Sequence, residues 1–251
     1  MPGLSEILIL DSVDSTNSYA LSNFDGFGHG ALIVARSQSA GRGRKGRVWV
    51  SPPSVNVYAS LILKGLKFLP AQASWLGSLA ALETLRNRGP RLPLRVKWPN
   101  DVLCGGLKIA GVLCETKAGA AGGIVIGIGV NINMSKEELS LIDAPATSLY
   151  AETGRLGDTE AFAQAMGEAA MKLYGIAERD GIKTLHAMWS AETLLEGSIV
   201  EALLDSGCSF SGRVEKLRLD GTLSLRLEDG SLLNVSAGEI SLRERAVHAP
   251  A

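Results

Sequence analysis

Residues Gly41 to Trp49 read GRGRKGRVW and lie shortly after the apolar run ALIVAR (31–36). The stretch matches two patterns literally, G-x-G-x-x-G of dinucleotide-binding proteins and G-x-G-x-x-G-x-V of protein kinases, and each would commit the chain to a different fold. A dinucleotide site needs the third glycine to open a helix whose N-terminus faces a pyrophosphate. Here Gly46 is followed by RVWVSPPS, and Pro52-Pro53 forbids that helix. A kinase needs a lysine strand, a catalytic loop and a metal-binding DFG downstream, and the sequence carries none of them. What remains is a loop in which Arg42, Arg44, Lys45 and Arg47 stand among three glycines. Guanidinium forks bind carboxylate or phosphate, and glycines let backbone come close, so the loop reads either as a cage for a small anion or as a solvated basic turn.

The flanking segments place that loop in a sheet. ILIL (7–10), ALIVAR and VNVYASLIL (55–63) are short, apolar and β-branched, which predicts buried strands. Pro70 to Arg88 carries apolar residues at helical spacing and stops at Gly89-Pro90, so a helix covers one face. LRVKWPNDVLC (94–104) and LKIAGVLCET (107–116) read as two strands of a hairpin turned at Gly105-Gly106, and GIVIGIGVNIN (123–133) as the next strand. Glu160 to Glu178 and Ile182 to Trp189 read as further helix. Beyond Glu196 the texture changes to short strands with hairpin signals at Asp220-Gly221 and Asp229-Gly230, which predicts a small all-β module. The expected division is 1–190 and 194–245.

Composition bounds the chemistry. The chain has 251 residues, enough for one substantial domain and a small companion, with 46% hydrophobic and 20% charged residues. A formal net charge of −1 argues against broad phosphate neutralisation, so no nucleic acid is expected as partner. The N-terminal segment has neither a basic start nor a long apolar run, so no membrane partner is expected and a cytoplasmic location is. Cys104, Cys114 and Cys208 match no zinc spacing; they read as free buried thiols, and no protein-held metal is expected. No convincing Ser/His/Asp or Cys/His set is present for nucleophilic catalysis.

Two more segments accompany the arginine loop. Lys108 in GLKIAG and the KWPND block (97–101) fall on neighbouring strands, and a lysine among apolar strand residues either reaches solvent or meets an anion. SVDSTN (12–17) puts hydroxyl and amide groups at a strand end, where they suit a polar-ligand pocket or an N-cap for a helix near Tyr19 to Asn23.

Taken together, SVDSTN, SQSAGRGRKGRVWVSP (37–52), KWPND, LKIAGVL (107–113), GIGVNIN (127–133) and GEISLR (238–243) resemble biotin protein ligases, in collinear order over almost the whole chain. The resemblance implies an α/β (α+β) fold: a mixed sheet flanked by helices, like a class II synthetase, followed by an SH3-like β-barrel. It implies that biotin and Mg-ATP (biotin and ATP as substrates, with Mg2+) give biotinyl-5′-AMP. A lysine of a biotin carboxyl carrier domain then attacks that adenylate. Residue by residue, it places Ser15, Thr16, Asn17 and Gln38 around the biotin rings, with Gly111 also against biotin. Arg42, Gly43 and Arg44 fall on a loop closing over biotin and the adenylate phosphate. Lys108 falls at the biotin carboxylate and α-phosphate, so Lys108, Arg42 and Arg44 are the catalytic candidates. Trp49, Asn100, Asp101 and Asn131 fall on the nucleotide side. Ser54 departs from the family pattern, where glycine is common, so the turn after the loop is expected to be stiffer. About eleven residues precede SVDSTN, so a monofunctional enzyme is expected, without the winged-helix domain of repressor-type members; monomer and homodimer both stay open. Two alternatives differ in chemistry: a lipoate or octanoate ligase, and a non-catalytic biotin or nucleotide sensor.

Overall fold

The computed structural model describes residues 2–65, 68–119, 122–204, 209–236 and 240–244, so Cys208 and the Gly238-Glu239 start of GEISLR lie outside the described residues. Strand β1 (Glu6–Leu10), helix α1 (Thr16–Ser22), β2 (Ala31–Ala35), β3 (Val57–Lys64) and α2 (Pro70–Arg88) come first. They are followed by β4 (Leu94–Lys97), β5 (Asp101–Cys104), β6 (Leu107–Lys117), β7 (Gly123–Val130), and the short helices α3 (Lys136–Leu139) and α4 (Leu149–Thr153). The long helices α5 (Thr159–Asp180) and α6 (Ile182–Thr193) close this part. One seven-stranded sheet runs β1-β2-β3-β7-β6-β5-β4, parallel between β1 and β2 and antiparallel at every other pairing.

The period of two along each strand sorts the side chains between two faces. Leu32, Leu61, Leu63, Ile126 and Val112 join Trp75, Leu76 and Leu82 of α2 and Phe162 and Met166 of α5 in the main core. The alternate residues Ile33, Ile62 and Val125 meet Ala20 of α1 and Phe24 in a smaller cluster on the opposite face. Helix α2 begins at Pro70, where a missing N–H costs nothing, and the Gln72 side chain accepts from the Leu69 N–H at 2.9 Å. Trp75 stacks on Trp189 of α6 at 5.4 Å between ring centroids, and the Trp189 indole N–H donates to Ser78 Oγ at 3.0 Å. That bond satisfies the indole N–H that Trp189 brings into the buried helix layer.

The expected strand 94–104 is a correction. Pro99 has no N–H to give a ladder, so the run breaks at Trp98–Asn100 and folds back as the antiparallel pair β4 and β5, with a cis Trp98–Pro99 peptide in the turn. The hairpin at Gly105-Gly106 joins β5 to β6 instead. The helix after SVDSTN starts at Thr16 rather than Tyr19, and Ser15 holds the N-cap position without a side-chain capping bond. Ser54 adopts φ 59°, the left-handed region that favours glycine.

The C-terminal residues form β8 (Ile199–Leu204), β9 (Ser209–Leu217), β10 (Leu223–Leu227), β11 (Leu232–Val235) and β12 (Ile240–Glu244), a separate antiparallel sheet in the order β11-β10-β9-β8-β12. The last expected run, SLLNVSAGEISL, therefore supplies two strands on opposite edges of this sheet. The β9–β10 turn rests on α2 and on the β4–β5 turn: the Trp98 indole donates to the Gly221 carbonyl at 3.1 Å, and Gln72 Nε2 donates to the Leu219 carbonyl at 2.8 Å. Gly221 sits at φ 87°, and a Cβ there would stand 2.5 Å from the Ala71 Cβ. Gly221→Val combines backbone strain with that collision; it should lower the free energy of unfolding by about 2–4 kcal/mol, read from urea denaturation followed by fluorescence.

Candidate active site

The sheet face that carries α1 also carries a cavity of about 310 Å³. Its floor follows from strand register. Tyr58, Gly129, Gly111, Asp101 and Lys97 form one row across β3, β7, β6, β5 and β4, and Ser60, Gly127 and Leu113 form the row beside it. Three of these positions lack side chains, so other groups come down onto bare backbone. A Cβ on Gly129 would stand 2.4 Å from the Trp49 ring, and one on Gly111 would meet Trp49 and the end of Lys108 at about 3 Å. A Cβ on Gly127 would strike the Asn17 amide at 2.3 Å.

Lys108 reaches this face through a bulge. Residues 108 and 111 are three apart and would face opposite ways on a regular strand. Between β5 and β6 the register shifts, with Val102 opposite Ala110 but Leu103 opposite Lys108, so Ile109 is the extra residue. Ile109 and Ala110 both enter the main core, and Lys108 turns to the cavity. Its Nζ lies 2.7 Å from Asp101 Oδ1 and 5.2 Å from the centroid of the Trp49 ring. The indole N–H of Trp49 is itself buried and without a hydrogen-bond partner.

The arginine loop folds as an extended strap with a tight turn at Arg44–Gly46, closed by Gly43 N–H to the Arg47 carbonyl (2.6 Å) and Trp49 N–H to the Gly41 carbonyl (2.9 Å). Arg44 turns inward and donates from Nη1 to Asn100 Oδ1 at 3.2 Å. Burial pushes its guanidinium below the usual arginine value, and the nearby Asp101 carboxylate opposes that shift. Asn100 is pinned in turn, because its own carbonyl accepts from the Val112 N–H at 2.9 Å and its amide donates to the Val112 carbonyl. Arg42 turns the other way, to Glu115 and Ser18.

At the opposite end a polar wall is built from α1. Gln38 Oε1 accepts from the Thr16 N–H (2.9 Å) and hydroxyl (3.2 Å), while its Nε2 donates to Ser51 Oγ (2.9 Å). Ser60 Oγ lies 2.6 Å from Asn17 Oδ1 and 2.8 Å from Thr16 Oγ1. Both donors of Asn17 are used, toward the Leu113 carbonyl (3.1 Å) and Glu115 Oε2 (2.8 Å), so Asn17 acts as a strut in the wall. Ser15, whose hydroxyl caps nothing, lines the same end.

The structure thus brings all the expected site residues to one cavity: Ser15, Thr16, Asn17, Gln38, Arg42, Gly43, Arg44, Trp49, Asn100, Asp101, Lys108, Gly111 and Asn131. A model of the biotin/lipoate A/B protein ligase family matches residues 9–131. The biotin–[acetyl-CoA-carboxylase] ligase of Paracoccus denitrificans is 32% identical over 225 residues, 87% of this chain and 93% of that protein. The chain belongs to the biotin protein ligase family. The bifunctional ligase/repressor BirA of Escherichia coli is 33% identical over 94% of this chain and 74% of its own length. Among solved structures, the biotin protein ligase from Aquifex aeolicus in complex with biotin and ATP superposes with a TM-score of 0.82 at 28% identity, covering 96% of this chain and all of that one.

Several residues of this biotin ligase fold escaped the sequence reading. Gly127 and Gly129 alternate with isoleucines in IVIGIGV, a pattern that marks a strand approached closely on one face. The segment from Ile142 to Ala146 walls the cavity because Lys108 N–H donates to the Pro145 carbonyl (3.1 Å) and Thr147 N–H to the Lys108 carbonyl (2.9 Å). Asn131 Nδ2 adds a bond to the Thr147 carbonyl at 3.0 Å. Nothing in LIDAP signals that placement. The other three tryptophans, Trp75, Trp98 and Trp189, are fully buried, so a quencher in solution reports on Trp49. Gly129→Val should lift the indole from the floor and raise the acrylamide quenching constant about twofold, with little change in Tm because the new side chain meets the Trp49 ring first.

Proposed function

We propose that the chain activates biotin with ATP and transfers it to a lysine of a carboxylase carrier domain. The observation that carries this reading is the layout of the cavity. Neutral hydrogen-bonding groups on α1 and β2–β3 stand at one end, bare glycine backbone lies beneath, and Lys108 and Arg44 stand at the other end. That order suits a small ring system with a polar rim, joined to an acid that must meet a nucleotide phosphate.

In the first step a carboxylate oxygen of biotin attacks the α-phosphorus of ATP, and the bond to the bridging oxygen of the β-phosphate breaks to release pyrophosphate. Two anions must come together, so cations at the junction lower the barrier by neutralising charge that gathers there. Lys108 is the group for this role: its ammonium, now held by Asp101, can turn to the reacting oxygens without leaving the floor of the cavity. Arg44, fixed by Asn100, faces the same junction from the loop. Arg42 and Gly43 belong to the strap over it. Trp49 rests where a flat ring would lie, so ligand entry moves the indole or stacks on it. Asn131 and the 142–146 segment form the wall on the nucleotide side.

Mg2+ enters with ATP. Such ions keep phosphate and water ligands and take one or two carboxylates, and Asp101 is the single carboxylate among the described residues lining the cavity. In the second step the acceptor amine attacks the acyl carbon, AMP leaves and the lysine nitrogen loses a proton. No enzyme nucleophile is needed. Residues 1–190 are read as the catalytic unit and 194–245 as a module that braces it through Gly221 and Trp98.

The test is pyrophosphate release with Mg-ATP and biotin, lipoate or octanoate, followed by intact mass of an added carrier domain. Release with biotin and a carrier gain of one biotinyl group is the expected result; release with lipoate or octanoate instead would move the chain to the sister chemistry, and biotin binding without release would make it a sensor. Lys108→Ala should slow biotin-dependent pyrophosphate release by about 10²–10³-fold, and a wild-type rate would remove Lys108 from the mechanism.

A further inference from the structure

Glu115 lies on β6 four residues beyond Gly111, on the same face, just outside the cavity lining. One of its oxygens gathers two separate parts of the site. Oε2 accepts from Arg42 Nη2 of the loop at 3.0 Å and from Asn17 Nδ2 of α1 at 2.8 Å. Arg42 also donates to Ser18 Oγ at 3.2 Å, so the loop is tied to both β6 and α1. Asn17 then leads inward, since its Oδ1 faces Ser60, Ser60 faces Thr16, and Thr16 is bonded to Gln38 in the polar wall. A path of hydrogen bonds therefore joins the polar end of the cavity to the strap that covers it, and Glu115 is the charged link.

The arginines of the loop are not equivalent in this arrangement. Arg44 is partly buried, lines the cavity and bonds Asn100, and Arg42 pairs with Glu115 on the outer side. The Arg42 and Glu115 side chains are 44% and 25% exposed, so the pair is partly screened and contributes modestly, as suits a fastening that must open and close.

We propose that Glu115 is a positioning residue for the adenylating reaction: by holding Arg42 and Asn17 on one carboxylate oxygen, it keeps the 41–49 loop shut over the activated intermediate until the acceptor lysine arrives. The inference rests on the adenylate-forming reading above. Glu115 touches no substrate; it acts through Arg42.

The experiment is the dissociation rate of preformed biotinyl-5′-AMP, measured by chase with excess biotin, for the full chain and for Glu115→Gln, Arg42→Met and the double variant. Glu115→Gln should release the adenylate about three- to fivefold faster, the range open to a half-exposed ion pair. Arg42→Met should do the same, and the double variant should be no faster than either single one. A wild-type rate for Glu115→Gln overturns the inference, and so do effects that multiply, because they would mean that Glu115 works independently of Arg42. Raising KCl from about 50 to 500 mM should speed release from the wild-type chain more than from Glu115→Gln, since the fastening is ionic; equal salt responses count against it even where a variant folds poorly. A wild-type chain that forms no adenylate would instead defeat the functional reading itself, and the inference would fall with it.

Discussion

The site depends on a patch of sheet that has no side chains. Gly111, Gly127 and Gly129 lie in adjoining rows of β6 and β7, and each lets something else touch backbone: Trp49 and the end of Lys108 over two of them, the Asn17 amide over the third. Side chains there would collide with Asn17 of α1, Trp49 of the loop and the end of Lys108 and push them off the sheet. The cavity would then lose its floor. Because β7 is the central strand, paired to β3 and β6, its other face must stay fully apolar, and Ile124, Ile126 and Ile128 meet that demand by alternation.

Charge is arranged with the same economy. Lys108 and Asp101 neutralise one another on adjacent strands, Arg42 and Glu115 do so at the loop, and Arg44 donates to Asn100, near the Asp101 carboxylate, in a partly desolvated place. Desolvation strengthens what a cation can do for a reacting anion, at the cost of destabilising the cation in the resting protein. The pairing of Lys108 with Asp101 limits that cost before a ligand arrives. The two thiols described are not part of this set: Cys104 is buried, with its pKa pushed up to about 11 chiefly by burial, and burial also pushes up the thiol of Cys114 under Arg44.

The C-terminal sheet contributes to the same region from outside. Its β9–β10 turn packs on the N-terminal turn of α2 and accepts the Trp98 indole N–H, so it buttresses the β4–β5 turn that carries Asn100 and leads into Asp101 at the start of β5. None of the helices described is long and apolar enough to cross a membrane.

Local chemistry in the sequence determined most of the elements: β-branched runs for the sheet, helical spacing from Pro70 to Arg88 ending at Gly89, and Asp-Gly turns for the small module. It also determined which kinds of group the site contains, because arginines between glycines, a lysine in an apolar strand and a hydroxyl-rich strand end are readable one segment at a time. Pro99 was a legible break in the run 94–104 that the apolar pattern around it outweighed. Tertiary structure alone decided how those groups meet. The extra residue at Ile109 that turns Lys108 inward, the convergence of Arg42 and Asn17 on Glu115, and the stitching of 142–146 to the edge of β6 depend on register and on contacts between segments as many as 98 residues apart. No periodicity within one segment encodes a partner on another; the strand pairing that brings them together does.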